Sequence, residues 1–555
     1  MPAAGPAELV VETAALAPVT GRVTVSTVVP FQAVAGVVQR LRVPVVIQDV
    51  RRPLRVRLML GGRSIAGAEV LLDPARIAGR LVVLVSDVRA GLGALRRVDE
   101  RAVDAYVTAD ALPSLWQEYT GVDLVVLRDL DPARLSDAQR TSLLTWVRLG
   151  GRLVVIARPG APLPAFLMPV LPAHLRGLAV LAAAPELGAR FGSPAPGGPI
   201  AAVALVPQPG AAVVRAGGVP VIAGDRAGDG YVSVWGIDPT VPPLAEWNGR
   251  TRLWANALSV PAPAVVDASA LAGRLGVRGP VDRFSHAAAG LLIALYVGGL
   301  AIVRRRRPTV AGAAVGAAAA VFAVVALTTL AVGARARSTV LTQVAIVEQA
   351  PEAPVARVLI VAAATVPYGG PAEVVAPSGA TAAPAAMTGD VRIRWRDATA
   401  ALDSVVRPDM PWVLQALTAV PLRTSARFDD AAQTLTVDLG IAGLRDAAVW
   451  WHGLVRPLGD LPAGRSAHRV PGDGWRRAAD VVTDDRSAAR FFRAADSQEP
   501  GAIAQLSRPV LVGEWSGPAP AFVLAERRRV DPAAQDVVLL IPIDGPPPVV
   551  RGGQP

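Results

Sequence analysis

Two uncharged apolar runs flanking a block of four arginines constrain this chain more than any other feature. Residues 287–303 read AAAGLLIALYVGGLAIV and residues 310–332 read VAGAAVGAAAAVFAVVALTTLAV, with Arg304-Arg305-Arg306-Arg307-Pro308 between them. A helix needs roughly 17–25 apolar residues to cross a hydrocarbon core about 30 Å thick. A charge at the centre of such a helix costs about 2.5–3.5 kcal/mol, so two uncharged runs of this length predict a transmembrane helical hairpin over residues 286–338. A pair of buried core helices is the plainer account, but core helices are usually shorter and amphipathic. Gly298, Gly299, Gly312 and Gly316 would let the two helices pack closely.

A hairpin returns the chain to the face it left, so residues 1–285 and 339–555 must share one side. Excess positive charge favours the cytoplasmic face. Four arginines in the turn outweigh Arg335 and Arg337 beyond it, which places the turn in the cytoplasm and both flanking parts outside. The lipid bilayer is then a partner through residues 287–303 and 310–332, in a bacterial inner or plasma membrane. Met1 opens MPAAGPAELVV, with neither a basic start nor an apolar core, so it is no signal peptide. Either the true start lies upstream or both parts are cytoplasmic; the upstream start is the reading adopted.

All 56 basic residues are arginine, and the net charge is +11. The arginines are dispersed and form no stripe interleaved with aromatics, so nucleic acid is excluded as the expected partner. Cysteine is absent, which removes disulfides, zinc–thiolate sites and a cysteine nucleophile together. No HExxH, GxSxG or phosphate-loop pattern occurs.

The period of the apolar residues changes along the chain. Residues 1–78 alternate apolar and polar, as in GRVTVSTVV and PLRVRLML, and predict a β-sandwich module. From about residue 79 the runs become continuous. Leu81–Ser86, Val122–Leu127 and Leu153–Ile156 read as strands buried on both faces. Between the last two, Ser136 and Gln139 form a capping box, Leu143, Leu144 and Val147 fall on one helix face, and Gly150-Gly151 ends the helix. Strand, helix and strand with short links make a parallel crossover.

The stretches DLVVLRDLDPARLSDAQRTSLLTWVRLGGRLVVI and GDGYVSVWGIDPTVPPLAEWNGRTRLWANAL resemble the class I glutamine amidotransferase-like domain of bacterial membrane proteins of unassigned function. The resemblance covers about residues 80–260 and implies a flavodoxin-like sheet. Amidotransferases attack with a cysteine, which this chain lacks, so the resemblance implies a catalytically incomplete domain. The fold class expected is therefore multidomain α/β plus β-sandwich with a two-helix transmembrane hairpin. The domains run 1–78 (sandwich), 79–262 (α/β), 263–285 (linker), 286–338 (hairpin), 339–544 (β-rich, one or two domains) and 545–555 (disordered tail). Pro367–Met387, rich in glycine, proline and alanine, reads as a loop.

Few residues invite chemistry. Asp129 and Asp131 follow a buried strand at the carboxyl edge of the α/β sheet, where such sheets place ligands. Their plainer role is in a loop that begins a helix. Asp225 and Asp229 lie among glycines without the ligand spacing of a calcium loop, so a hairpin turn is favoured. The four histidines, His174, His286, His452 and His468, pair at no metal-binding spacing. Trp450 and Trp451 should face opposite sides of a strand, one in the core and one open to a partner. No catalytic, cofactor-binding or metal-ligating set is assigned, and no cofactor is expected. The function expected is that of a non-enzymatic, membrane-anchored envelope protein that binds or scaffolds protein partners. The alternative is a membrane-bound hydrolase or sugar-binding protein working through Asp129 and Asp131.

Overall fold

Alternation with period two turns most of this chain into strands, and where both faces of a strand are covered the alternation gives way to continuous apolar runs. The computed structural model describes residues 6–17, 21–32, 41, 43, 45, 47, 52–72, 80–86, 95–98, 100, 102–128, 130–259, 340–366, 370–385, 390–396, 399–406, 412–451, 454–477, 509–525 and 535–545. The first strands are β1 (Pro6–Ala17), β2 (Gly21–Gln32), β3 (Leu54–Leu60) and β4 (Arg63–Val70), antiparallel to one another in the order β2-β1-β3-β4.

The α/β unit follows. Its strands are β5 (Leu81–Val85), β6 (Val103–Val107), β7 (Leu124–Leu127) and β8 (Arg152–Ile156). Then come the hairpin β9 (Ala173–Leu181) and β10 (Ile200–Pro207), and finally β11 (Ala212–Ala216), β12 (Val219–Ala227) and β13 (Gly230–Trp235). The helices are α1 (Leu95–Val98), α2 (Asp137–Arg148), α3 (Pro185–Arg190) and α4 (Arg250–Ser259). The sheet order is β11-β12-β13-β8-β7-β5-β6; from β13 to β6 neighbours are parallel, and β12 and β11 add an antiparallel edge. At the start of α2 the Ser136 hydroxyl accepts from the Gln139 N–H at 3.3 Å, while the Gln139 side chain accepts from the Ser136 N–H at 2.9 Å. This reciprocal cap fixes where the helix begins.

The C-terminal strands are β14 (Val340–Gln349), β15 (Ala356–Thr365), β16 (Gly370–Val375), β17 (Thr381–Pro384), β18 (Val391–Arg396), β19 (Thr399–Val406) and β20 (Trp412–Val420). They continue as β21 (Ser425–Asp429), β22 (Thr434–Asp438), β23 (Leu444–Trp451), β24 (Leu454–Leu461), β25 (Arg465–Arg469) and β26 (Arg476–Arg477). The last three are β27 (Val510–Trp515), β28 (Val523–Leu524) and β29 (Gln535–Asp544). Strand β2 pairs in parallel with β18, so strands β1–β4 share one eight-stranded sheet with β16, β18, β19 and β28 of the C-terminal part, in the order β28-β16-β19-β18-β2-β1-β3-β4. A twelve-stranded sheet packs on it. Val25, Ile393 and Leu402 from one sheet and Val358, Leu414 and Leu539 from the other meet in a single core.

Fold class is corrected here. Strands dominate the described residues, which hold four α-helices, the longest of 12 residues. None is long and apolar enough to cross a membrane. At 1.5 Å per residue a 12-residue helix reaches about 18 Å, well short of a hydrocarbon core. The expected transmembrane hairpin over 286–338, with its runs 287–303 and 310–332, lies outside the described residues. The integral-membrane assignment that rested on it, with both flanking parts outside the cell, is withdrawn. Much of the apolar content has another use: β15 is buried along nine of its ten residues, covered on both faces. The loop expected over Pro367–Met387 contains strands β16 and β17. Between β2 and β3 of the expected sandwich module, residues 41, 43, 45 and 47 are described, and none of these is in a strand.

The two bodies are locked together. Gln117 donates from Nε2 to the carbonyls of Gly379 at 2.8 Å and Leu417 at 2.9 Å. Arg357 of β15 donates to the carbonyl of Leu149, just past α2. Ala350, Ala353 and Val355 complete the core beneath α2.

Candidate functional site

The carboxyl edge of the parallel sheet carries a closed polar cluster. Arg128 directly follows β7 and is 7% exposed. Its Nε donates to Asp238 Oδ2 at 2.8 Å, just beyond β13. The other oxygen of Asp238 accepts from the Thr240 N–H at 2.8 Å and the Thr240 hydroxyl at 2.6 Å. Burial strengthens this pair by lowering the local dielectric, and the added threonine bonds offset the cost of desolvation. Asp131, expected at this edge, accepts from the Ala133 N–H at 3.0 Å and caps a short 3₁₀ turn. Asp129 lies outside the described residues. Sequence spacing pointed to Asp129 and Asp131 and missed Arg128 and Asp238; a lone arginine ending an apolar strand was the one local signal.

The remaining sequence candidates fall into packing roles. Asp225 lies within β12, opposite Val232 of β13, and not in the turn expected for it; Asp229 is in the β12–β13 turn against the end of α2, where its N–H donates to the Arg148 carbonyl at 2.9 Å. A Cβ on Gly230 would stand 1.8 Å from the Val147 carbonyl oxygen, so this glycine is there for close approach. Among the described residues no group of three or more acidic or histidine side chains could hold a metal. His174 is exposed, and His468 sits 2.8 Å from the Ser466 hydroxyl. His286 and His452 lie outside the described residues. Trp450 is buried and Trp451 half-buried on β23.

A cavity of about 330 Å³ opens on one face of the α/β sheet, under α4. It follows from strand register. Ala212, Gly224, Ser233 and Val154 lie side by side across β11, β12, β13 and β8. Four small or short side chains in one row leave a trench that Leu253 and Ala257 of α4 do not fill. The floor at one end is aromatic: Trp235 rests 4.9 Å from Trp254, and its indole N–H donates to the Ser233 hydroxyl at 2.7 Å. At the other end Arg152 and Tyr231 are register partners on adjacent parallel strands, so their side chains share the face. Arg152 donates to the Leu258 carbonyl at 2.7 Å, a bond that Arg80 also makes at 3.1 Å, and together they satisfy the end of α4. Burial lowers the Arg152 pKa; Asp123 opposes this and Arg80 adds to it. Burial, with the charge of Asp225, raises the Tyr231 hydroxyl above its ordinary value.

No family model and no curated protein matches this chain. Among solved structures, it is similar to the exo-β-1,4-mannosidase Op5Man5 from Opitutaceae bacterium strain TAV5, at 17% identity and a TM-score of 0.23. The match covers 33% of this chain and 36% of that one, so the chain spans about a third of its neighbour's length.

Proposed function

We propose that this chain is a non-catalytic binding protein whose amidotransferase-like α/β unit is fixed against a β-sandwich as a scaffold. The observation that carries the reading is the Arg128–Asp238–Thr240 cluster. An open α/β sheet offers its ligands the carboxyl edge, and here the best-buried carboxylate has both oxygens engaged by its own protein. The absence of cysteine from the whole chain agrees with a domain that lacks the amidotransferase nucleophile. The bonds from Gln117 and Arg357 suit a scaffold, because they hold the α/β unit in one position against the sandwich. A hydrolase at this edge would need a carboxylate free to move a proton, whereas Asp131 caps a turn and Asp238 holds an ion pair.

The test is turnover. The full chain is incubated with glutamine, read by ammonia release, and with p-nitrophenyl esters and glycosides, read by absorbance. Rates equal to the blank are expected. Turnover that disappears in Asp131→Asn or Asp238→Asn would overturn the proposal.

A further inference from the structure

The trench under α4 is lined by donors and by no carboxylate. Arg152 and Arg190 bring guanidinium groups, Tyr231 a hydroxyl and Asn256 an amide. A guanidinium has five N–H donors, and the bond to Leu258 uses one of those on Arg152. The Tyr231 hydroxyl has no hydrogen-bond partner among the described residues, and it lies over Gly224, where a Cβ would approach it to 2.2 Å. Asp123 and Asp225 are the nearby acids, but each already accepts a main-chain N–H, from Leu81 at 2.8 Å and from Arg226 at 2.7 Å. Neither lines the cavity. A half-buried cation beside an unpartnered hydroxyl stands at the end of an apolar trench that no carboxylate lines; Asp123, whose charge acts on Arg152, stays outside the cavity, which leaves room there for an anion.

We propose that this cavity binds a small organic acid: one carboxylate between Arg152 and Tyr231, and an aromatic or branched apolar body in the trench against Ser233, Trp235 and Phe191. The size suits a small ligand, since pockets for such molecules run from about 300 to about 1,000 Å³. A planar carboxylate matches a guanidinium edge and can take the tyrosine hydroxyl on its second oxygen. Trp235 and Phe191 give the body a rigid apolar wall. Phe191 is braced edge-on at 5.9 Å by Trp247, so the wall needs little ordering when ligand enters. Arg190 stands at the exposed side and would draw an anion toward the mouth. Ala212 and Val213, on the outermost strand, form that mouth. The inference goes beyond the scaffold reading and does not depend on it, because the cavity and the carboxyl-edge cluster are different parts of the sheet.

The experiment is calorimetric titration of the full chain with 3-phenylpropionate, 3-phenylpropanamide and acetate. Saturable binding of the acid is expected, with the neutral amide and the body-less acetate each weaker by about tenfold or more. Arg152→Gln and Tyr231→Phe should each weaken the acid, the arginine change by about tenfold or more. Ala212→Trp should block the mouth and abolish binding with the unfolding midpoint unchanged. Tyr231→Phe retains the ring, so it reads the same site if Arg152→Gln fails to fold. No saturation with the acid, equal binding of acid and amide, equal binding of acid and acetate, or full binding by Ala212→Trp would each overturn the proposal. None of these outcomes bears on turnover, so the two proposals fail separately.

Discussion

Two arginines on neighbouring strands of one sheet live in opposite circumstances. Arg128 directly follows β7, and Arg152 opens β8. Arg128 meets a carboxylate at 2.8 Å that is itself held by a threonine. Arg152 meets a main-chain carbonyl that it shares with Arg80. A cation removed from water is costly unless a charge and hydrogen bonds replace its hydration. The carboxyl edge, where α/β sheets ordinarily take ligands, has therefore satisfied itself. The amino end of the same sheet has kept positive charge beside a cavity that no carboxylate lines, so the room for an anion lies there.

Removing the internal carboxylate gives the largest effect. Asp238→Ala takes from the buried Arg128 the carboxylate it meets at 2.8 Å, and it releases both Thr240 donors. The expected loss is about 3–5 kcal/mol of stability, measured by denaturant unfolding of the full chain. A loss below about 1 kcal/mol would put the pair in the class of exposed ion pairs and reopen the edge as a site.

The same measurement on the other arginine should give a much smaller number. In Arg152→Leu the Leu258 carbonyl keeps Arg80 as its donor, and a half-buried charge is gone. The expected change is within about 1 kcal/mol, in either direction. A loss as large as that of Asp238→Ala would mean that Arg152 holds the fold together, and the contrast between the two ends would collapse.

The reasons these features escape or survive reading from sequence differ. Helix α2 was legible because its signals are local: Ser136 and Gln139 lie three residues apart, and Gly150 and Gly151 follow at once. Strand β3 was legible because period two needs only a short window. The β2–β18 pairing was not, since the Thr24 N–H finds the Asp390 carboxylate across 366 residues and nothing near either one encodes the other. Strands β16 and β17 sit in a glycine-, proline- and alanine-rich stretch that reads as a loop. Their hydrogen bonds come from β19 and β20, and tertiary pairing overrides weak strand propensity. The doubly buried β15 and the uncharged runs 287–303 and 310–332 share one ambiguity: length and hydropathy do not say whether lipid or protein covers an apolar segment. Arg128 and Asp238 lie 110 residues apart. The trench row of Ala212, Gly224, Ser233 and Val154 exists only once register is set. Neither site was therefore available to spacing arguments, which pointed instead to Asp129 and Asp131.

The smallest effect is a titration, and it examines the open end directly. Burial holds the proton on Tyr231 more tightly in the folded chain than in the unfolded one, and Asp225 reinforces this. Between the ordinary tyrosine value of about 10 and the raised folded value, the unfolded chain has released that proton and the folded chain has not. The folded state binds more protons in this window, so stability is fully present below about pH 10 and declines as pH rises through it. Absorbance titration of the five tyrosines should show one late component that is absent from Tyr231→Phe. A bound 3-phenylpropionate, placing negative charge against the hydroxyl, should move that component later still, because a second anion alongside is unfavourable. If the acid leaves the late component where it was, the carboxylate does not sit between Arg152 and Tyr231, and the charge of Arg152 is answered somewhere else.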